Sequence, residues 1–396
     1  MSLEALAPWL IAVALLGPIV VWPLALVSLL RLMTGVRTLA SVEVQPRARW
    51  PTLSVVSPAC NEEAAIAQSL KSLVSQDYPA LEVIAVNDRS TDRTGALIDE
   101  AAAADSRIVP VHLSQLPPGW LGKLNAMAKG IERSSGDWVL FADADVRYGP
   151  QALRRAITYA EQHQLDFLTV MPQTDSAGFL ADTIFAGTGL VMALTSRPWR
   201  VRDMTTTDVF GVGAFLLVRR SAYLRSPGFE WLKLEVADDM GLCLMIKRAG
   251  GRCDVVNGRG MISLRWYESF REMTEKMQKN FYAIMGRFSL ARSVAMAAGC
   301  VAFALSPWLA LLPQAPAPLG WLTLASQSAL VVGTLLFSRW SGRDPLYPAL
   351  FPNVALLLLA FMSVRAGVLG RRMGGITWRG VRYDAALLRS QQRFRL

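Results

Sequence analysis

The sequence predicts an α/β fold, a mostly parallel sheet with helices on both faces, joined to N-terminal and C-terminal transmembrane helices. Three observations predict it: an uncharged run at residues 8–30, short β-branched runs alternating with helical stretches from about residue 50, and further apolar runs beyond residue 290. Composition agrees. Of 396 residues, 52% are apolar and only 18% charged, against roughly 25% charged in soluble domains, and the mean hydropathy is +0.30. These figures argue against a purely soluble, disordered or disulfide-built protein. The net charge of +10 admits nucleic acid, an anionic membrane surface or an anionic substrate. Its distribution favours the membrane: Arg31, Arg37, Arg47 and Arg49, then Arg365, Arg371 and Arg372, flank the apolar runs, as cytoplasmic ends of spanning segments do. Nucleic acid also lacks a basic patch interleaved with exposed aromatics. Cys60, Cys243, Cys253 and Cys300 form no CxxC pair, and with only His112 and His163 no Cys/His metal cage assembles. The reading is a reduced, cytosol-facing protein.

Residues 8–30 are long enough to cross a hydrocarbon core of about 30 Å, and longer than a signal-peptide core of roughly 7–15 residues. An anchor is expected, with residue 31 onward in the cytoplasm. From residue 50, TLSVVSPA, LEVIAVND, RIVPVHL and DWVLFADADV alternate with helical stretches such as 62–75 and 91–104. Runs apolar on both faces, joined by crossover helices, give a buried parallel sheet. Ligands of such sheets sit at the carboxyl ends of the strands. Residues 267–289 space Phe270, Met273, Met277, Phe281, Ile284 and Phe288 three or four apart, one apolar stripe against a charged face. That helix either packs on the domain core or lies on the bilayer. The runs 293–313 and 318–338 that follow, read as a hairpin of two spans, favour the bilayer. A third run, 346–364, creates a conflict: counted as a span it places eight tail arginines outside. The arginines outweigh the count, so with Pro348 and Pro352 at its start this run is read as re-entrant or interfacial, or another segment fails to cross.

The chemistry lies in carboxylates at strand ends. Asp88 ends VNDRSTDRT, Asp143 and Asp145 end FADADV, and Asp238 and Asp239 open a helical stretch in EVADDMGLCL. A lone DxD is usually a solvated turn. After a buried strand, however, it presents two alternate carboxylates to the crevice, as a hard divalent cation beside substrate phosphates requires. Asp238 and Asp239 have a plainer reading as acids favoured at a helix start. Lys123, after the glycine turn in LPPGWLGKLNAMAKG, heads a helix where phosphate can bind, or is simply solvated. It belongs to no P-loop, because the GxxxxGK spacing is absent. Gly211 and Gly213 let a substrate approach the backbone, or mark a bulge.

At these residues the chain resembles the membrane-bound members of glycosyltransferase family 2, which have the GT-A fold. The resemblance runs over roughly residues 50–270. SVVSPACNEE is similar to the family's first-strand motif, with Pro58, Asn61 and Glu62 at the donor; VNDRSTDRT carries its second-strand aspartate, FADADV its DxD and ADDMGL its acceptor-base motif. The resemblance implies that Asp88 contacts the uracil or ribose, Asp143 the nucleotide sugar, Asp145 a Mn²⁺ or Mg²⁺ ion, with Asp143 beside it, and that Asp239, with Asp238, supplies the general base. The family often has a glycine-lysine-asparagine stretch where Lys123 stands. VFGVGAFLLVRRSAY resembles its glycine-rich strand beside the acceptor, holding Gly211 and Gly213. ISLRW matches the family's QxxRW except that Ile262 replaces the glutamine; Arg265 would pair with the donor diphosphate, Trp266 would stack on a sugar or anchor the interface, and processivity is in doubt. The layout and the ending GGITWRGVRYD are similar to ceramide glucosyltransferase-like enzymes and to bacterial hopanoid-associated or carotenoid-modifying transferases.

The expected organisation is an anchor at 1–32, a cytoplasmic catalytic domain at 50–266, an amphipathic interfacial helix at 267–290, membrane segments at 291–368 and a basic cytoplasmic tail at 369–396. A multi-pass protein of the inner membrane follows, transferring one sugar from a nucleotide-sugar donor, UDP-linked, to a membrane lipid hydroxyl with inversion. Rival expectations are a processive polysaccharide synthase and a non-catalytic nucleotide-sugar-binding membrane protein.

Overall fold

A computed structural model describes residues 3–344 and 346–395. Its strands, in chain order, are β1 (Leu53–Ala59), β2 (Leu81–Asp88), β3 (Ile108–Leu113), β4 (Trp138–Phe141), β5 (Arg147–Tyr148), β6 (Phe167–Met171), β7 (Gln173–Thr174), β8 (Leu216–Arg219), β9 (Cys253–Asn257), β10 (Ile262–Leu264), β11 (Gly375–Trp378) and β12 (Val381–Asp384). Seven of them form one sheet in the order β3-β2-β1-β4-β8-β6-β9, parallel except for β8, which runs against both β4 and β6. Every residue of β1, β4, β6 and β9 is buried, as strands covered on both faces must be. The crossover helices Ile66–Val74, Thr94–Ala104 and Gly122–Arg133 supply that cover. A small sheet, β5-β10-β7, stands beside the large one.

The fourth strand is shorter than its sequence pattern. β4 stops at Phe141, where Asp143 N–H leaves the ladder to donate to Gly213 O at 3.2 Å. The DxD acids therefore lie on a loop in the cleft, and Gly211 and Gly213 precede β8 instead of lying within it.

Among the described residues, five helices are long and apolar enough to cross a membrane: Pro8–Gly35, Phe179–Arg200, Leu290–Ala310, Ala317–Ser341 and Pro352–Met373. They pack as one bundle, with Trp22 edge-on to Phe303 at 5.5 Å between centroids. Trp9, Trp308 and Trp321, at the end far from the sheet, are about 70% exposed, as an interfacial aromatic belt would be. The Phe179–Arg200 helix was missed by the sequence reading. Its chain comes from β7 and goes on to β8, both in the same domain, so this helix starts and finishes on one side.

Contacts with the domain fix where the last apolar runs begin and end. Arg259 donates to Arg339 O, at the end of the Ala317–Ser341 helix, and Arg343 donates to Thr174; the Leu290–Ala310 and Ala317–Ser341 pair thus leaves the domain and returns to it. Asn353 meets Gln327 at 3.3 Å, midway along the returning helix, so the run starting at Pro352 begins at half depth. It ends at the domain, where Arg365 donates to Thr274 O. The helix after Pro352 thus ends at the domain, and the arginines after it lie on the domain side.

The stretch 267–289 is not one helix. It forms Phe270–Lys276, Gln278–Asn280 and a π-turn at Phe281–Met285, with Met273, Phe281 and Phe288 buried. Tyr282 packs against Gly370, where an added Cβ would lie 2.3 Å from its ring. The segment is wedged between the sheet domain and the Pro352–Met373 helix, and a π-turn lets it bend there. The C-terminal basic stretch is also folded: β11 and β12 pair as a hairpin, followed by a helix Ala385–Gln391 whose first amides are capped by Asp384.

Candidate active site

Four chain segments build the site at the carboxyl ends of the parallel strands. β2 ends in Asp88, fully buried, both oxygens held by the Arg89 guanidinium at 2.8 and 3.1 Å. Gly122 sits against that pair, since a Cβ there would be 2.6 Å from Asp88 Oδ2 and 2.7 Å from Arg89 Nη2. One residue on, Lys123 turns inward and bridges two carboxylates, Asp143 at 2.8 Å and Asp238 at 2.9 Å. The ammonium expected at the phosphates is thus committed to tying the DxD loop to the start of the Asp238–Arg248 helix. Burial alone would lower its pKa, but the two carboxylates raise it above the ordinary lysine value. Burial likewise disfavours the Asp143 anion, and Lys123 outweighs it and holds the carboxyl below its usual range.

Asp145 and Asp239 show the opposite balance. Burial, then the charges of Asp143 and Glu62, push Asp145 up to about 7; its Oδ1 is buried without a hydrogen-bond partner. Burial, then the Asp238 charge, push Asp239 up to about 7 as well. Asp239 Oδ1 accepts only its neighbour's amide, Met240 N–H at 2.7 Å. A carboxyl poised near neutrality in a cleft suits proton transfer.

The glycines admit this crowding. A Cβ at Gly211 would lie 2.2 Å from Asp239 O, and one at Gly213 would lie 2.9 Å from both Asp143 Oδ2 and Lys123 Nζ. What approaches the backbone here is the site's own wall. On the β1 side, Pro58 is buried in register with Val86, and Asn61, in the left-handed region at φ 57°, accepts Thr91 N–H at 2.8 Å. Glu62 N–H donates to Thr94 Oγ1 at 2.8 Å, and burial raises the Glu62 carboxyl.

Arg265 and Trp266 stand apart from these acids. Arg265 pairs with Glu268 at 3.0 Å and with Asp175 at 3.9 Å, not with Asp143 or Asp145. Trp266 lies against Phe185 of the Phe179–Ser196 helix, centroids 5.9 Å apart, an anchor between sheet domain and bundle. Tyr267, next in line, feels the Asp145 charge.

Three residues near the acids carried no sequence signal that was used. Lys279 holds its ammonium 3.3 Å from the Trp378 ring centroid, and burial lowers it to about 8. Arg379 approaches Glu62 at 4.0 Å. Glu235 accepts Phe394 N–H at 3.0 Å and also the Arg393 amide, fastening the C-terminus beside Asp238. The usable signal was β-branched and aromatic alternation about a two-residue turn ending in glycine, ITW-RG-VRY.

A divalent cation suits the residues present. The orphaned Asp145 oxygen, with Asp143 two residues away, is an oxygen donor set for a hard ion. Among the described residues no three such groups already converge as a cage, so substrate phosphates and water would complete the coordination.

Comparison with known proteins finds similar sequences and one similar fold. Residues 54–224 match the family described as glycosyl transferase family 2. The 4,4'-diaponeurosporenoate glycosyltransferase of Staphylococcus haemolyticus is 25% identical over 58% of this chain and 60% of its own length. The beta-monoglucosyldiacylglycerol synthase of Synechocystis is 29% identical over 50% of this chain and 40% of its own. A probable glycosyltransferase of Bacillus subtilis, YdaM, is 41% identical over 24% of this chain and 23% of its own. The chain thus spans between about a quarter and three-fifths of these curated relatives. Among solved structures, the mannosyltransferase PcManGT of Pyrobaculum calidifontis, in complex with GDP-Man and Mn²⁺, superposes with a TM-score of 0.52 at 18% identity, over 94% of this chain and 99% of that one. The fold is GT-A.

Proposed function

We propose that this chain, whose residues 54–224 form a glycosyl transferase family 2 domain, is a membrane-bound inverting transferase moving one sugar from a UDP-linked donor to a lipid hydroxyl. One observation carries the reading: Lys123 joins Asp143 and Asp238, drawing the DxD loop and the Asp239 carboxyl, raised to about 7, into one cleft. Two relatives named for a carotenoid acid and a diacylglycerol support a lipid acceptor. So does the apolar Phe179–Ser196 helix, which packs on Trp266 and sets an apolar surface beside the sheet domain.

In this mechanism Asp239 accepts the acceptor hydroxyl's proton as the oxygen attacks the anomeric carbon. The new C–O bond forms on the face opposite the breaking bond to the diphosphate, which leaves with that electron pair. Asp88 orients the nucleoside, held still by Arg89. Lys123 fixes Asp143 and Asp238 so that donor and base keep one spacing, which is where much of the rate of a positioned reaction originates. Asp145, with Asp143, would hold Mn²⁺ or Mg²⁺, which when bound offsets the charge of the departing diphosphate.

The test is incubation of purified protein with a panel of nucleotide sugars and extracted membrane lipids, with lipid products weighed by mass spectrometry. A single added hexose is expected on lipid, and Asp239→Asn is expected to abolish it while leaving donor binding intact. Wild-type turnover by that variant would remove the base assignment; a ladder of added sugars would favour a processive synthase.

A further inference from the structure

We propose that Arg379, at the tip of the C-terminal hairpin, is a ligand of the donor's diphosphate, so that the folded C-terminus completes the donor site. The inference rests on the nucleotide-sugar reading above. β11 and β12 are joined by Arg379 and Gly380, both in the left-handed region at φ 48° and 76°. This is the tight two-residue turn that matches strand twist, and it fixes where the arginine emerges. The tip is aimed at the acids: the Arg379 guanidinium lies 4.0 Å from Glu62, and its charge reaches Cys60 and Asp143.

The arginine is incompletely used there. A contact of 4.0 Å is too long for a hydrogen bond, and Nη1 is buried with no hydrogen-bond partner. A guanidinium carries five donors in a planar fork, and a buried donor left unmet is unfavourable. Two adjacent phosphates offer the acceptors that a fork matches bidentately. Lys279, over Trp378 in the same hairpin, stands close enough to Asp238 and Lys123 to feel their charges, so a second cation faces the same space. Arg265, the basic residue that sequence motifs place at the diphosphate, is occupied by Glu268 and Asp175.

The hairpin is also held firmly enough to serve. The Tyr383 hydroxyl lies against the Gly122 amide, at the head of the helix that carries Lys123. Ile376 and Leu388 are fully packed, each 1% exposed. Arg389 donates to Phe288 O, and Glu235 receives the amides of Arg393 and Phe394. Residues 375–395 are therefore a strap fixed on both sides of the cleft, with one cation left open at its turn.

The experiment is calorimetric binding of UDP, UMP, GDP and GMP, with Mn²⁺ present, to the full chain in detergent and to Arg379→Gln and Arg379→Lys. Wild type is expected to prefer diphosphate over monophosphate. Arg379→Gln is expected to reduce that ratio by about tenfold or more, since a hydrogen bond to a charged group is worth at least that; Arg379→Lys, which keeps the charge and loses the fork, should fall between. Retained monophosphate binding shows each variant to be folded. A diphosphate preference unchanged in both variants overturns the role of Arg379 while leaving the donor site in place. Absence of any diphosphate binding by wild type overturns this inference together with the reading on which it rests.

Discussion

Gly211→Ala offers a way to move the base without changing its chemistry. The added methyl would sit 2.2 Å from Asp239 O and 2.4 Å from Asp239 C, where ordinary contact begins near 3.4 Å. Both clashing atoms are backbone, so the Asp239 peptide must retreat by about 1 Å, since no flexible tip is available to swing aside. Misplacement of about 1 Å lowers a positioned reaction by roughly 10²-fold, or about 2.7 kcal/mol of barrier. Donor contacts lie on the other side of Lys123 and should be spared. Gly213→Ala is the natural counterpart, its methyl meeting the tips of Asp143 and Lys123 at 2.9 Å; it should weaken donor binding and leave the base in place. Single-turnover transfer at saturating donor, set beside nucleotide binding, separates the two. If Gly211→Ala turns over within threefold of wild type while folded, Asp239 does not depend on that packing for its role. If the two variants give the same pattern, the division of the cleft into donor and base sides fails.

Two further predictions concern the raised carboxyls. Asp239 acts as base only when ionised, so with its pKa up at about 7 turnover should fall tenfold per pH unit below 7 and level off above it. Burial is the first cause of that rise and the Asp238 charge the second, so Asp238→Asn should shift the acid limb to lower pH; a limb that stays or climbs contradicts the assignment. Asp145→Asn removes a carboxylate that is buried, lacks a partner at Oδ1 and is repelled by Asp143 and Glu62. It should weaken Mn²⁺-dependent donor binding by at least about tenfold, as loss of a metal-site group does, yet raise the melting temperature of the metal-free protein above pH 7. A Tm that falls, or donor binding still promoted by Mn²⁺, would show that this carboxylate is held by something other than a need for a cation.

The parts of this molecule legible in its sequence are those in which local pattern and global fold agree. LEVIAVND reads as a buried strand and is one, β2 over Leu81–Asp88, because both its faces are covered and every second residue need not be polar. Acids at the ends of such strands fall together whatever the loops do, since a parallel sheet brings its carboxyl ends to one edge. What the pattern did not reveal was set by contacts between distant segments. Periodicity in 267–289 reads as one helix, yet the domain on one side and Gly370 on the other bend it into three pieces. The Phe179–Ser196 helix reads as part of the domain, and its apolar surface has meaning only beside the membrane bundle. Lys123 is the sharpest case. Its position at a helix head was legible, but its partners come from residues 20 and 115 positions further on, and no local rule distinguishes a lysine awaiting phosphate from one already holding two carboxylates. The same reasoning explains why the basic tail looked like a membrane flank. Arginines near an apolar run report which side of a bilayer they occupy. Whether one of them then turns back into a cleft is decided by a two-residue turn and by the carboxylates it meets, which is tertiary information.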